Sequence, residues 1–190
     1  SAYTLGIGGG GTVVLEKASG NNQFNGNMTF AVTNGSTLST PNLGALGNSA
    51  TNIVSLNNGT FAYTGSTGTA SQRFTIGTSG GTINVSTTGQ ALTLTNSVAF
   101  TGDLNKTGSG ILEISGAKTS TGNTAISGGV LRINNASSLG TGCMSCVDSI
   151  PNIVRCLIAG DDEGRPVCLT PPEGLRFFGC IGCCLPNPPP

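Results

Sequence analysis

Leu104-Asn-Lys-Thr-Gly-Ser-Gly-Ile-Leu-Glu-Ile-Ser-Gly-Ala-Lys-Thr119 leads, across Ser120, into Thr121-Gly-Asn-Thr-Ala-Ile-Ser-Gly-Gly-Val-Leu-Arg-Ile-Asn-Asn-Ala-Ser-Ser-Leu-Gly140. Two short runs stand out in it, Gly110-Ile-Leu-Glu-Ile114 and Gly129-Val-Leu-Arg-Ile133, each opened by glycine and closed by Ser or Asn. Apolar residues alternating with polar ones are the signature of a half-buried strand. The alternation sets Leu112 with Ile114, and Leu131 with Ile133, on one buried face.

Outward from this stretch the same template recurs. The runs are Gly11-Thr-Val-Val-Leu15, Asn27-Met-Thr-Phe-Ala-Val32, Gly59-Thr-Phe-Ala-Tyr63, Arg73-Phe-Thr-Ile76, Gly81-Thr-Ile-Asn-Val85 and Ala91-Leu-Thr-Leu94. Val13, Leu15, Met28, Phe30, Val32, Phe61, Tyr63, Ile83 and Val85 are thereby expected inside. No stretch carries helical spacing. At a higher order, Gly11 to Gly20 with Leu43-Gly-Ala-Leu-Gly47 parallels Gly110 to Thr119 with Leu139-Gly-Thr-Gly142, which reads as two copies of one unit.

The segments Leu104 to Thr119 and Thr121 to Gly140 resemble the autotransporter-associated β-strand repeat, found in passenger regions of large bacterial surface proteins, and the resemblance extends over nearly all of residues 4–142. It implies an all-β chain folded as a right-handed parallel β-helix, a solenoid whose coils stack about 4.8 Å apart and turn at Gly or Asn. Such a solenoid has two open ends that natural proteins cap. Ser1-Ala-Tyr-Thr-Leu-Gly-Ile7 is itself strand-like, so this end is expected to be able to accept another chain.

Composition narrows the function. Of 190 residues 31 are Gly, only 8% are charged, and there is no His, which excludes Ser-His-Asp and Cys-His catalysis and imidazole metal sites. Formal net charge zero supplies no field for nucleic acid or anionic lipid. No apolar run reaches the roughly 18 residues of a membrane-spanning helix. A start at Ser1 suits a mature product after signal cleavage, and the cysteine usage suits an oxidising, extracellular or cell-surface location.

Candidate chemistry before residue 142 is thin. Acid/base work on glycans needs clustered carboxylates. Only Glu16, Asp103 and Glu113 are present, at positions that stacking would not bring together, so they read as solvated turn or outward groups and no enzyme is expected. Gly8-Gly-Gly-Gly11 reads as a turn between strands, since no Lys-Ser/Thr follows it. The sequons at Asn27, Asn34, Asn58, Asn84, Asn105 and Asn135 follow from composition.

Composition breaks near Gly142. The first segment, 1–142, holds no Cys and one Pro, whereas 143–190 holds seven Cys and eight Pro, a short irregular Cys/Pro-rich tail read as a cross-linking or capping segment. Cys143, Cys146, Cys156, Cys168, Cys180, Cys183 and Cys184 are the disulfide or cross-link candidates. A thiolate metal site from Cys143, Cys146, Cys180 and Cys183 is the second reading; no cofactor is expected. Seven is odd, so one thiol stays free or joins another chain. These features give an expected function: a structural extracellular protein that self-assembles into a filament through β-helix ends and is locked by tail cysteines. The alternative is a surface adhesin or passenger fragment binding a host or matrix ligand.

Overall fold

The structure, a computed structural model, describes residues 2–17, 24, 26–96, 98–116 and 118–134, together with the strands Met144–Cys146 and Arg155–Ile158. The chain lays down β1 (Tyr3–Ile7) and β2 (Thr12–Val14), then β3 (Met28–Thr33), β4 (Thr37–Thr40) and a single-turn 3-10 helix (Leu43–Leu46). Four coils of three strands follow. They are β5 (Ile53–Asn57), β6 (Gly59–Tyr63) and β7 (Gly68–Ala70); β8 (Arg73–Ile76), β9 (Gly81–Val85) and β10 (Ala91–Leu94); β11 (Val98–Phe100), β12 (Leu104–Thr107) and β13 (Ile111–Ile114); β14 (Lys118–Ser120), β15 (Thr124–Ile126) and β16 (Val130–Ile133). Past residue 142 the ladder continues into β17 (Met144–Cys146) and β18 (Arg155–Ile158).

These strands stack into three sheets, in the orders β1-β3-β5-β8-β11-β14, β2-β4-β6-β9-β12-β15-β17 and β7-β10-β13-β16-β18. Each described pairing is parallel, as from Ile53 opposite Arg73 to Leu112 opposite Leu131. The protein is an all-β parallel solenoid, as the sequence predicts. One coil is the structural repeat: Leu112 and Leu131 are 19 residues apart, Ile53 and Arg73 are 20, and Tyr3 faces Met28, 25 on. The two copies read from the sequence are therefore not equivalent, since Thr12–Val14 lies in the second sheet and Ile111–Ile114 in the third. Glycine-led alternation specifies a strand but not which wall of the coil it builds.

Inward side chains form columns. Phe30, Val54 and Phe74 stand in one, Val32, Leu56, Ile76 and Phe100 in the next, and Leu92, Leu112 and Leu131 in a third, all buried. Phe61 and Phe74 meet edge to face with centroids 5.2 Å apart, bridging two walls. Each fully buried side chain of this size contributes roughly 1.5–3 kcal/mol. Phe30, Phe61, Ile83, Leu112 and Leu131 are all buried as expected. Val13 is not. It occupies an inward register position opposite Leu38, yet it is 37% exposed because β2 is the edge strand and has a neighbour on one side only.

Corners are made by residues that tolerate positive φ. Asn34 (54°) and Asn58 (56°) turn the chain from the first wall to the second, and Gly80 (75°) does so one coil on. Gly35 N–H donates to the Asn58 carbonyl and Asn58 N–H to that of Gly80, so turns are bonded coil to coil like the strands. Two of the sequon asparagines thus serve as turn residues.

One inward position breaks the apolar pattern. Lys106 stands between Ile83 and Ile126 in the second-wall column and is fully buried. Its ammonium donates to the carbonyls of Thr107 (2.6 Å), Gly108 (3.0 Å) and, in the next coil, Gly128 (3.1 Å). Three donors meeting three turn acceptors satisfy a cation that would otherwise be costly to bury. Burial lowers its pKa from 10.5 to about 8.

Phe61→Ala is expected to destabilise the chain by about 3–5 kcal/mol, against less than about 0.5 kcal/mol for the outward Thr60→Ala, in urea denaturation. For Lys106 the folded pKa lies below the unfolded one, so the unfolded chain holds more protons between pH 8 and 10.5 and stability rises with pH across that window. Denaturation midpoints at pH 7.5, 8.5 and 9.5, below the range where Tyr63 ionises, should increase in the unmodified protein, and this rise should be missing from Lys106→Met.

Candidate functional site

The sequence-predicted residues divide sharply. Cys146 lies on β17 in register with Ile126, and Cys156 on β18 in register with Leu131, so the two fall on different walls of the solenoid. Cys143, Cys168, Cys180, Cys183 and Cys184 lie outside the described residues, and so do the disulfide and metal readings that rest on them.

Of the carboxylates, Glu16 follows β2 in the first coil and is exposed. Asp103 sits in the turn before β12, where its Oδ1 accepts from the Asn123 N–H at 2.8 Å. Glu113 lies outward on β13, accepts from Asn134 Nδ2 at 2.6 Å and faces Arg132 across the coil at 3.9 Å. The register partners of Glu113 are Thr93 and Arg132, neither of them an acid. The Gly8–Gly11 stretch is the turn between β1 and β2, with Gly9 and Gly10 at φ 88° and 81°, as the sequence predicts.

A concave site forms elsewhere, at the corner that follows the second wall in the first three coils. Its origin is an irregularity of the stack. In the coil of β3 and β4 the third wall is not a strand but the 3-10 helix, so β7 is the last strand of its sheet and a notch of about 550 Å³ opens beside it. Asn42 caps the helix, accepting from Gly44 N–H at 2.9 Å while its Nδ2 donates to the Lys17 carbonyl at 3.0 Å. Pro41, Leu43 and Tyr63 supply the apolar part of the lining, and Lys17, Ser66 and Thr69 the polar part.

Tyr63 is buried, and its hydroxyl donates to the Ser66 carbonyl at 2.5 Å, pinning the turn that forms one side of the notch. That burial pushes the phenol pKa up from 10.0, so it stays a donor at neutral pH. Thr67 is held by Gln90, whose Oε1 accepts from its N–H at 2.7 Å and its hydroxyl at 3.1 Å. Gly68 has no room for a side chain: a Cβ there would lie 2.8 Å from the Tyr63 hydroxyl and 3.1 Å from Leu43 Cδ1.

No protein-family model matches the chain, and no solved structure does. Over 103 residues, 54% of its length, the chain is 39% identical to the adhesin BmaC autotransporter of Brucella suis biovar 1 (strain 1330). The matched stretch is 3% of that protein, so the chain corresponds to a small part of its curated relative. A parallel solenoid with an autotransporter adhesin as relative is consistent with the passenger-type repeat that the sequence resembles.

The notch was not legible in the sequence. Tyr63 reads there as a core residue, and nothing in the pattern singles out Lys17 or Thr69. The available signal is local: Asn42-Leu-Gly-Ala-Leu-Gly47 replaces strand alternation with a capping Asn and a closing Gly, marking a non-strand segment where a wall was due. Tyr63→Phe is expected to lower stability by about 1 kcal/mol in urea denaturation, through loss of the bond to Ser66, and to increase protease cleavage in the turn around Ser66.

Proposed function

We propose that this chain is part of the passenger shaft of a bacterial surface adhesin, a structural, non-catalytic segment that presents a binding surface to a host-cell or matrix ligand. The identity to an autotransporter adhesin carries this reading, and the described fold supports it, since a parallel solenoid is a stiff, extended scaffold whose walls can display side chains at fixed intervals. The same likeness makes it an exported, cell-surface chain. We take the winding to be right-handed, as parallel crossovers almost always are.

Self-assembly into a disulfide-locked filament has less support, because it depends on tail cysteines that lie mostly beyond the described residues, whereas adhesion draws on the relative itself. The purified chain should bind saturably to host-cell monolayers or to wells coated with extracellular-matrix extract, and should sediment as a single small species over a hundredfold range of concentration. Absence of binding together with concentration-dependent filaments in electron micrographs would replace this reading with the structural-filament one.

A further inference from the structure

We infer that the notch beside β7 is a binding site for an acidic saccharide, a sugar residue bearing a carboxylate, held by the Lys17 ammonium; this rests on the adhesin reading above. The first support is charge. Among the described residues, Lys17 is the only charged one lining the notch, it is half-buried, and the one ion pair is Arg132 with Glu113, on a different wall. A lysine at a concave surface, with no acid among the described residues of the lining, is complementary to an anionic group.

The rim is the second support. Ser66 and Thr69 are exposed there, so the polar groups offered beside the cation are hydroxyls, which suit the hydroxyls of a sugar ring. Pro41 and Leu43 provide a small apolar patch for the ring's C–H face within a mainly polar lining, which suits a sugar better than an apolar ligand. A volume of about 550 Å³ suits one or two sugar residues.

Geometry weighs against a peptide. An extended segment would join the sheet at the free edge of β7, but the 3-10 helix is packed there, with Leu43 Cδ1 reaching to 3.1 Å from where a Gly68 side chain would begin. Strand addition is closed off. The notch remains as a pocket rather than a sheet edge.

The test is a saturation-transfer NMR titration of the whole chain with methyl glucuronide and methyl sialoside, using methyl glucoside as the neutral isostere of the first. At least one acid should bind saturably and about tenfold more tightly than the glucoside, in keeping with a hydrogen bond to a charged group. Lys17→Met should reduce its binding to the glucoside level and Lys17→Arg should retain it, with unchanged denaturation midpoints in both. Thr69→Tyr, which crowds the rim and keeps the cation, should also abolish binding. If neither acid binds, if the glucoside binds equally well, or if Lys17→Met binds as before, the inference is wrong. If neither acid binds while the unmodified chain still adheres to cells or matrix, this site is overturned and the adhesin reading stands, whereas failure of the unmodified chain to adhere removes that reading while the titration still decides the site.

Discussion

Parallel, in-register stacking is the constraint from which the rest of the structure follows. Once Phe30 stands over Val54 and Val54 over Phe74, the strand either side must present the same face, because a shift of one residue would turn each inward side chain outward. The corners are bound by the same rule. Gly122 illustrates it: a Cβ there would come within 2.0 Å of the Gly102 carbonyl oxygen in the coil before, so the backbone itself is the packing surface at that corner. Side chains vary freely outside these columns, which explains how the walls can be built mostly from Thr, Ser and Asn without loss of the fold.

Lys106 shows what the constraint permits. An inward position must be filled, but not by an apolar group, provided its polar atoms are met. The turn carbonyls of Thr107, Gly108 and Gly128 converge on the ammonium, and the last of them belongs to the following coil. A cation inside the column therefore acts as a tie between successive turns, in a place where a leucine would leave those carbonyls to find other partners.

Much of this was legible in the sequence. Runs such as Gly81-Thr-Ile-Asn-Val85 and Gly129-Val-Leu-Arg-Ile133 name their strands and buried faces because period-two alternation is a local property, and both emerge as predicted. Assignment of strands to walls is not local. Gly11-Thr-Val-Val-Leu15 and Gly110-Ile-Leu-Glu-Ile114 look alike yet build different walls, since the wall depends on turn lengths summed around a coil. Val13 reads as buried because sequence cannot say that β2 has a neighbour on one side only. The notch was missed for a related reason: it is made by the absence of a strand, and the residues that line it come from three successive coils.

Mechanically, the coils are links in series while the bonds within each coil act side by side. A pull along the solenoid axis is thus borne by several parallel strand contacts at once, and release proceeds from an end, one coil at a time. Each coil of about 20 residues lengthens the chain by roughly 65 Å when it straightens. A solenoid of this kind yields in steps, one coil at a time, dissipating load instead of failing all at once.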